Sequence, residues 1–251
     1  MNNENKKGIL YGVGVGPGDP ELITLKAMRT IEAADVLILP AADRESCRAY
    51  KIAEGAFPEI SRKDCRFFPF PMTMKREMLD KFHAEISADV CEMLESGKNA
   101  AFITIGDPGI YSTFGYIRKL VSEAGYETRT VSGVPSFAAC AASLGLSLSE
   151  GSEEIHVIPG SGDIEEALKL KGTKVFMKSG KRLKELKQRL MEIETGSNET
   201  GGSGQNGGDG SFCGALQVYS VSDCGFESEC CGYSAADIPD DAGYLTVVIV
   251  K

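Results

Sequence analysis

The pattern of apolar and polar positions opens on a strand-like run, Ile9-Leu-Tyr-Gly-Val-Gly-Val, that passes into a glycine-rich turn ending at Asp19-Pro20. Leu22, Leu25, Met28 and Ile31 then recur at three-residue steps, close to the helical period, and Asp19-Pro20 makes a start signal with proline in the first turn. Ala34-Asp-Val-Leu-Ile-Leu-Pro40 is a short apolar run stopped by proline, which reads as a second buried strand. The same rhythm continues with a helix from Lys75 to Ser96, a strand from Ala100 to Ile105, a helix from Thr113 to Ala124 and a strand from Glu127 to Val131. A further glycine turn leads to a small-residue helix, Ser136 to Ser143. Strands alternating with helices predict a doubly wound α/β domain with a parallel sheet over residues 1–145.

From residue 146 the texture becomes rich in β-type runs: Ile155 to Pro159, Thr173 to Met177, Ala215 to Ser220 and Tyr244 to Lys251, with one charged helix, Lys181 to Glu192. This predicts a second, smaller α/β domain with a mixed sheet over 146–251, its last strand tied into that sheet. Between the helix and the next strand lies a Gly/Ser/Asn-rich stretch at about 195–211 with almost no apolar residue, read as a flexible insertion.

Composition narrows the partners. The formal charge of −9 argues against a nucleic-acid partner, because tracking a phosphate backbone needs clustered Lys and Arg. A local basic pocket for an anionic small molecule is compatible with an acidic exterior. The sequence contains no apolar run long enough to cross a membrane, and the polar start, Met1 to Lys7, lacks a secretory signal, so a cytoplasmic location is expected. The eight cysteines include no C-x-x-C pair, and His83 and His156 lie away from them in sequence, so no structural metal site is expected. Cys213, Cys224, Cys230 and Cys231 do gather near one another, leaving open free thiols, a soft-metal ligand set or a redox pair.

The glycine turns carry the candidate chemistry. A dinucleotide-binding G-x-G-x-x-G beginning at Gly12 needs glycine where Pro17 stands. Pro17 also removes an N–H where phosphate oxygens would be cradled, and Asp19 and Glu21 would set negative charge beside them. The turn suits a ligand without phosphate, and S-adenosylmethionine, with its cationic sulfonium, is such a ligand. A second turn, Ile105-Gly-Asp-Pro-Gly-Ile-Tyr-Ser-Thr113, follows a buried central strand, and a third, Ser132-Gly-Val-Pro-Ser136, follows the next one. Ligands of open α/β sheets gather at the carboxyl ends of strands, so these turns are expected to face one crevice. Asp107 is its acidic group, and Ser112 and Thr113 offer hydroxyls or a helix cap.

With these turns in order, the chain resembles the tetrapyrrole methylases, enzymes of cobalamin and siroheme synthesis that use S-adenosylmethionine. The resemblance rests on Gly14-Val-Gly-Pro-Gly-Asp-Pro-Glu-Leu with Thr24-Leu-Lys-Ala, Gly106-Asp-Pro with Tyr111-Ser-Thr, Gly133-Val-Pro-Ser, and Val175-Phe-Met. Within the family it is most similar to the members that methylate carbon 20 of precorrin-2 or cobalt-factor II (cobalt-sirohydrochlorin), through Leu39-Pro, Ser46 to Glu54, Phe70-Pro-Met-Thr-Met and Tyr111-Ser-Thr-Phe-Gly-Tyr. The uroporphyrinogen methylases carry an acidic residue just after the second strand, where this chain has Pro40. The resemblance implies two α/β domains with the cofactor in the cleft between them, assembled as a homodimer. It implies cofactor contacts at Pro17, Ile105, Gly106, Asp107, Ile110, Ser112, Thr113, Ala138, Ala139, Met177 and Gly225.

Methyl transfer to a ring carbon is an in-line displacement, so alignment matters more than acid or base strength. Loss of a meso proton afterwards needs a base, for which Asp107 and Tyr111 are the nearest motif residues; Asp107 is equally suited to holding the amino-acid part of the cofactor. A tetrapyrrole with eight carboxylates calls for Arg and Lys, and Arg44, Arg48, Lys75, Arg76, Lys178, Lys181 and Arg182 lie beside motif loops. The competing readings are a diphthamide-pathway or ribosomal-RNA methylase of the same fold, a nicotinamide-dependent oxidoreductase, and a non-catalytic tetrapyrrole carrier. His83 or His156 could serve as an axial ligand if the substrate contains cobalt.

Overall fold

A computed structural model describes residues 7–69, 75–199, 216–240, 243 and 245–251. The chain divides into two compact units, Met1–Ser136 and Phe137–Lys251. The sequence reading draws its boundary after the small-residue helix; the contacts group that helix with the second unit.

The first unit is built from β1 (Ile9–Gly14), α1 (Leu25–Ala33), β2 (Val36–Leu39), α2 (Arg48–Ala56), β3 (Asp64–Phe67), α3 (Arg76–Glu95), β4 (Ala100–Thr104), α4 (Phe114–Glu123) and β5 (Glu127–Val131). Its five strands run parallel in the order β3-β2-β4-β1-β5. The connection leaving β1 passes leftward to β2, while those from β3 to β4 and from β4 to β5 pass rightward. Right-handed crossovers therefore put α1 and α2 on one face and α3 and α4 on the other. The buried cluster on the latter face joins Leu10, Ile38 and Phe102 of the sheet to Ile86, Val90 and Leu94 of α3 and to Phe114, Ile117 and Val121 of α4. A doubly wound sheet forms, as the alternating pattern predicts.

Two local expectations need correction. Asp19-Pro20 does not start α1: Asp19 caps a 3-10 turn, Pro20–Leu22, and the chain then extends through Ile23 before Thr24 caps α1 by accepting from the Ala27 amide at 3.1 Å. In consequence Leu25 is 70% exposed, and the helix buries Ala27 and Ile31 instead. The segment between Pro40 and Lys75, where the pattern places no element, contains α2 and β3. β3 pairs with β2 alone, at the sheet edge, and its residues are only half-buried at best, so its sequence Asp-Cys-Arg-Phe lacks an apolar run.

The second unit contains α5 (Ser136–Ser143), β6 (Ile155–Pro159), α6 (Ile164–Leu168), β7 (Thr173–Met177), α7 (Leu183–Glu199), β8 (Val218–Ser222), β9 (Cys230–Gly232) and β10 (Thr246–Val250). Its sheet has the order β6-β7-β10-β8-β9 and is mixed: β6 and β7 are parallel, and the other pairs antiparallel. β10 is its middle strand, fully buried, with Val248 and Val250 packed against Phe176, Leu186 and Leu190. The charged helix runs past Glu192 to Glu199, so residues 195–199 of the expected flexible insertion are helical. Thr195 accommodates there by donating its hydroxyl to the Met191 carbonyl one turn back, at 2.8 Å. The rest of that insertion, 200–211, lies outside the described residues, as do Phe70 to Met74 and Cys213. Among the described residues no helix is long and apolar enough to cross a membrane.

Candidate functional site

All five strands of the first sheet point the same way, so the loops that follow them share one edge. Register makes the loops after β4, β1 and β5 neighbours, since Gly14 of β1 stands beside Thr104 of β4, and Val13 stands beside Val131 of β5. These loops are the three glycine turns, and they meet backbone to backbone. The Gly106 amide donates to the Gly16 carbonyl at 2.7 Å, and the Val15 amide donates to that of Thr104 at 3.0 Å. A Cβ on Gly14 would lie 2.4 Å from the Gly106 carbonyl oxygen, and one on Gly133 would lie 2.2 Å from the same atom. Side chains are excluded from this junction by contact alone, while Gly16 (φ 83°) and Gly106 (φ 70°) also need left-handed backbone.

Asp107 fastens the second turn to the third. One carboxylate oxygen accepts from the Gly109 amide at 2.7 Å and the other from the Gly133 amide at 3.1 Å. Pro17 is buried in the first turn, and Asp19 is committed to the Glu21 amide at 2.8 Å. Ile105 and Ile110 are half-buried on either side of Asp107. Of the two hydroxyls expected to bind or to cap, Ser112 caps α4 by accepting from the Phe114 amide at 3.2 Å, and it also donates to Thr104 Oγ1 at 3.2 Å; Thr113 makes no side-chain cap bond. Tyr111, just before them, is exposed and held at φ 46°, and partial burial pushes its phenol above the ordinary tyrosine value. Non-glycine residues in this region store strain, and such strain concentrates at functional turns.

The second unit places the remaining candidates at the ends of its own elements. Ala138 and Ala139 lie in the first turns of α5. Met177 ends β7 and is buried, its carbonyl accepting from the Gly160 amide at 2.7 Å. Lys178 follows at φ 56°. Gly225 (φ 79°) sits in the turn after β8 beside Asp223 (φ 49°), and its amide donates to the Glu229 carboxylate at 2.5 Å. The three non-glycine left-handed residues among those described, Tyr111, Lys178 and Asp223, thus each stand within two residues of a motif position.

The basic residues fare differently from one another. Arg44 and exposed Arg48 flank the loop after β2, and Lys75 and Arg76 begin α3 after β3, so all four belong to the carboxyl edge of the first sheet. Arg44 donates to the Lys63 carbonyl at 3.3 Å and lies over the Tyr50 ring at 5.4 Å. Arg76 pairs loosely with Asp80, 3.8 Å away and largely in solvent. In the second unit Arg182 is engaged by both Glu185 oxygens, at 2.9 and 3.0 Å, and by the Gly162 carbonyl, which ties it to the turn between β6 and α6. The Lys181 side chain lies outside the described residues.

Neither histidine projects from a motif loop. His83 stacks on Tyr116 of α4 with ring centroids 4.8 Å apart, and His156 Nε2 lies 2.9 Å from the Lys171 carbonyl. Among the described residues no three His, Cys, Asp or Glu side chains are grouped to hold a metal ion. Sequence reasoning missed the partners of Asp107, because the pairing with Gly133 spans two elements and leaves no local signal.

The edge as built suits a ligand that brings positive charge. At the turns the Glu21, Gly109 and Gly133 amides are taken by carboxylates and Pro17 has none to offer, an arrangement adverse to phosphate and tolerant of a sulfonium. The chain is 35% identical to a probable cobalt-precorrin-2 C(20)-methyltransferase of Methanocaldococcus jannaschii, over 77% of this chain and 80% of that one. It is 29% identical to the precorrin-2 C(20)-methyltransferase of a Sinorhizobium species, over 73% and 78% of the two chains. Its fold matches the uroporphyrin-III C-methyltransferase of Thermus thermophilus, solved with S-adenosyl homocysteine, at a TM-score of 0.65 and 18% identity, over 97% of this chain and 92% of that one. Residues 9–201, which include all three glycine turns and the Val175-Phe-Met strand, match the model of the Tetrapyrrole (Corrin/Porphyrin) Methylases, and to that family the chain belongs.

Proposed function

We propose that this protein is an S-adenosylmethionine-dependent methyltransferase that adds a methyl group to carbon 20 of precorrin-2 or of its cobalt-containing counterpart, in the synthesis of cobalamin. The observation that carries the reading is the 35% identity to a C(20)-methyltransferase over 77% of the chain, joined to a glycine-turn edge that disfavours phosphate. Pro17, standing where a G-x-G-x-x-G turn beginning at Gly12 needs glycine, speaks against the nicotinamide reading. We place the enzyme in the cytoplasm as a homodimer, on the strength of the family resemblance.

Cofactor contacts in the first unit are Pro17, Ile105, Gly106, Asp107, Ile110, Ser112 and Thr113; in the second they are Ala138, Ala139, Met177 and Gly225. When bound, the cofactor supplies an electrophilic methyl group on a cationic sulfur. The protein's contribution is alignment: the nucleophilic carbon must be held about 3–3.5 Å from that methyl, and rigid loops do this better than mobile ones. Asp107 serves this end, since both its oxygens hold backbone amides and fix the second turn against the third. That use leaves Tyr111, exposed at the same turn, as the motif residue for the meso proton; its phenol, raised above the ordinary value, must pass its own proton to solvent before its oxygen can accept that one. Arg44, Arg48, Lys75 and Arg76 on the carboxyl edge of the first sheet, with Lys178 in the second unit, supply charge for the substrate's carboxylates. Arg182 is occupied with Glu185 and Gly162 and contributes to folding instead.

An anaerobic assay with S-adenosylmethionine and either precorrin-2 or cobalt-sirohydrochlorin tests this reading. Gain of one methyl mass, located at carbon 20, is the expected result, and the better of the two substrates identifies the metal state. Cofactor binding without methylation of either tetrapyrrole would remove the substrate assignment.

A further inference from the structure

β4 ends on a hydroxyl that the methyl-transfer reading leaves without a role. The strand runs Ala100-Ala-Phe-Ile-Thr104, four buried apolar residues and then a half-buried threonine. Valine would suit the strand equally well, so the hydroxyl needs its own explanation. Thr104 lies on the same face of the sheet as Phe102, two residues earlier, and α4 covers that face. There the Ser112 hydroxyl donates to Thr104 Oγ1 at 3.2 Å, while its oxygen accepts from the Phe114 amide, also at 3.2 Å. The Ser112 carbonyl accepts from the Gly115 amide at 3.3 Å. Phe114 is in turn fixed by packing: its ring lies 5.8 Å from that of Phe102, and a Cβ on Gly12 would come within 2.2 Å of it. The start of α4 is thus held to β4 at two points, one polar and one apolar.

These ties single out Tyr111. Upstream of it, Asp107 holds the Gly109 amide at 2.7 Å, and the Asp107 carbonyl accepts from the Ile110 amide at 3.2 Å. Downstream of it, Ser112 is held to the strand. Tyr111 is the residue between the two fixed segments, and it joins them at φ 46°. Left-handed backbone is costly for a bulky side chain and persists where the neighbours over-determine it.

We propose that Thr104 is a positioning residue for Tyr111, acting through the Ser112 hydroxyl to hold that tyrosine left-handed and so present its phenol at the carboxyl edge of the sheet in one orientation. The catalytic consequence rests on the reading of Tyr111 as the residue for the meso proton. Without the Thr104 acceptor, Ser112 can turn its hydroxyl elsewhere and Tyr111 can return to negative φ, which redirects its whole side chain. Proton transfer tolerates little of this, because the phenol oxygen must come within about 2.6–3.2 Å of its partner.

The test compares Thr104→Val, which keeps the β-branched shape and removes the hydroxyl, with Thr104→Ser, which keeps the hydroxyl. Both are made in the full chain and checked for a native unfolding transition; if the valine variant lacks one, Thr104→Ala removes the same group. Thr104→Val should lose roughly tenfold in kcat while KM for the tetrapyrrole stays within about twofold of wild type, and Thr104→Ser should recover most of the rate. In a Tyr111→Phe background the valine change should cost nothing further, since groups that act as a unit are not additive. An equal loss with and without the Tyr111 hydroxyl would overturn the proposal, as would full activity in Thr104→Val beside an impaired Tyr111→Phe.

A second readout needs no turnover. With the eight tyrosines replaced by 3-fluorotyrosine, the fluorine NMR signal that disappears in Tyr111→Phe belongs to Tyr111. That signal should move in Thr104→Val and return in Thr104→Ser; an unmoved signal in the valine variant overturns the positioning role. The two readings therefore separate. A kcat unchanged by Tyr111→Phe would take Tyr111 out of the meso-proton step and leave the hold of Thr104 upon it to be decided by the fluorine signal.

Discussion

The carboxylate of Asp107 reaches across from the β4 loop to hold the amide of Gly133 in the β5 loop, at 3.1 Å, while its other oxygen holds Gly109 of its own turn at 2.7 Å. Removing it leaves two amides to find new partners. Asp107→Ala is expected to cost about 1–3 kcal/mol in denaturant unfolding, and to weaken S-adenosylmethionine binding. Asp107→Asn keeps one acceptor oxygen and should recover part of both. If Asp107→Asn were as stable as wild type and bound the cofactor normally yet lost roughly 10²-fold or more in kcat, the residue would be acting as a base instead.

The junction of the three turns makes an equally direct claim about glycine. Alanine at Gly133 would put its Cβ 2.2 Å from the Gly106 carbonyl oxygen, and backbone on both sides prevents an inexpensive adjustment. Gly133→Ala should therefore lose roughly 3 kcal/mol of stability, read from the shift in denaturant midpoint. Gly115→Ala is the matched control, because nothing lies within 4 Å of its added carbon and it sits inside α4, where alanine is favoured by about 1 kcal/mol. Similar losses in both variants would refute the close-packing account.

Lys178 separates side-chain function from backbone strain. Lys178→Ala removes the charge and keeps the strain of a side-chain-bearing residue at φ 56°; Lys178→Gly removes both. The glycine variant should be the more stable of the two by about 1 kcal/mol, and both should bind the tetrapyrrole more weakly than wild type. Equal stabilities would show that the backbone relaxes in solution, and undiminished substrate affinity would take Lys178 out of the pocket.

His83 predicts a pH effect on folding. It is 7% exposed and stacked on Tyr116, and burial lowers its pKa below the usual 6.5, outweighing the opposite pull of Asp80. Below about pH 6.5 the unfolded chain takes up a proton here before the folded one does, so the neutral, buried ring stabilises the fold fully above that pH and progressively less as pH falls. The difference in unfolding free energy between wild type and His83→Gln, measured from about pH 7.5 to 5.5, should shrink on acidification. A difference that stays constant would mean the ring titrates alike in both states.

What the sequence makes readable here is what short-range chemistry controls. β4 and α5 form over the predicted residues to within one position, because apolar runs and flanking glycines act within a few positions. β3 escapes for the opposite reason: an edge strand buries too little to need an apolar run, and its register comes from β2. Leu25 fits the helical period and still faces solvent, since Thr24, not Pro20, sets where the helix begins. The site shows the same division. Each glycine turn is visible alone, but the Asp107–Gly133 tie is made by folding and has no local signature.

The central position of β10 has a consequence for how the second unit comes into being. β6 with β7, and β8 with β9, can each pair early, yet the strand that must lie between β7 and β8 is the latest of the five to be synthesised. Until residues 246–250 leave the ribosome, the nascent unit exposes two open strand edges and a half-covered face of Phe176, Leu186 and Leu190, surfaces that invite chaperones or aggregation. Folding of this half thus waits for β10, while the first unit, whose strands are all complete by Val131, can fold before the second is made.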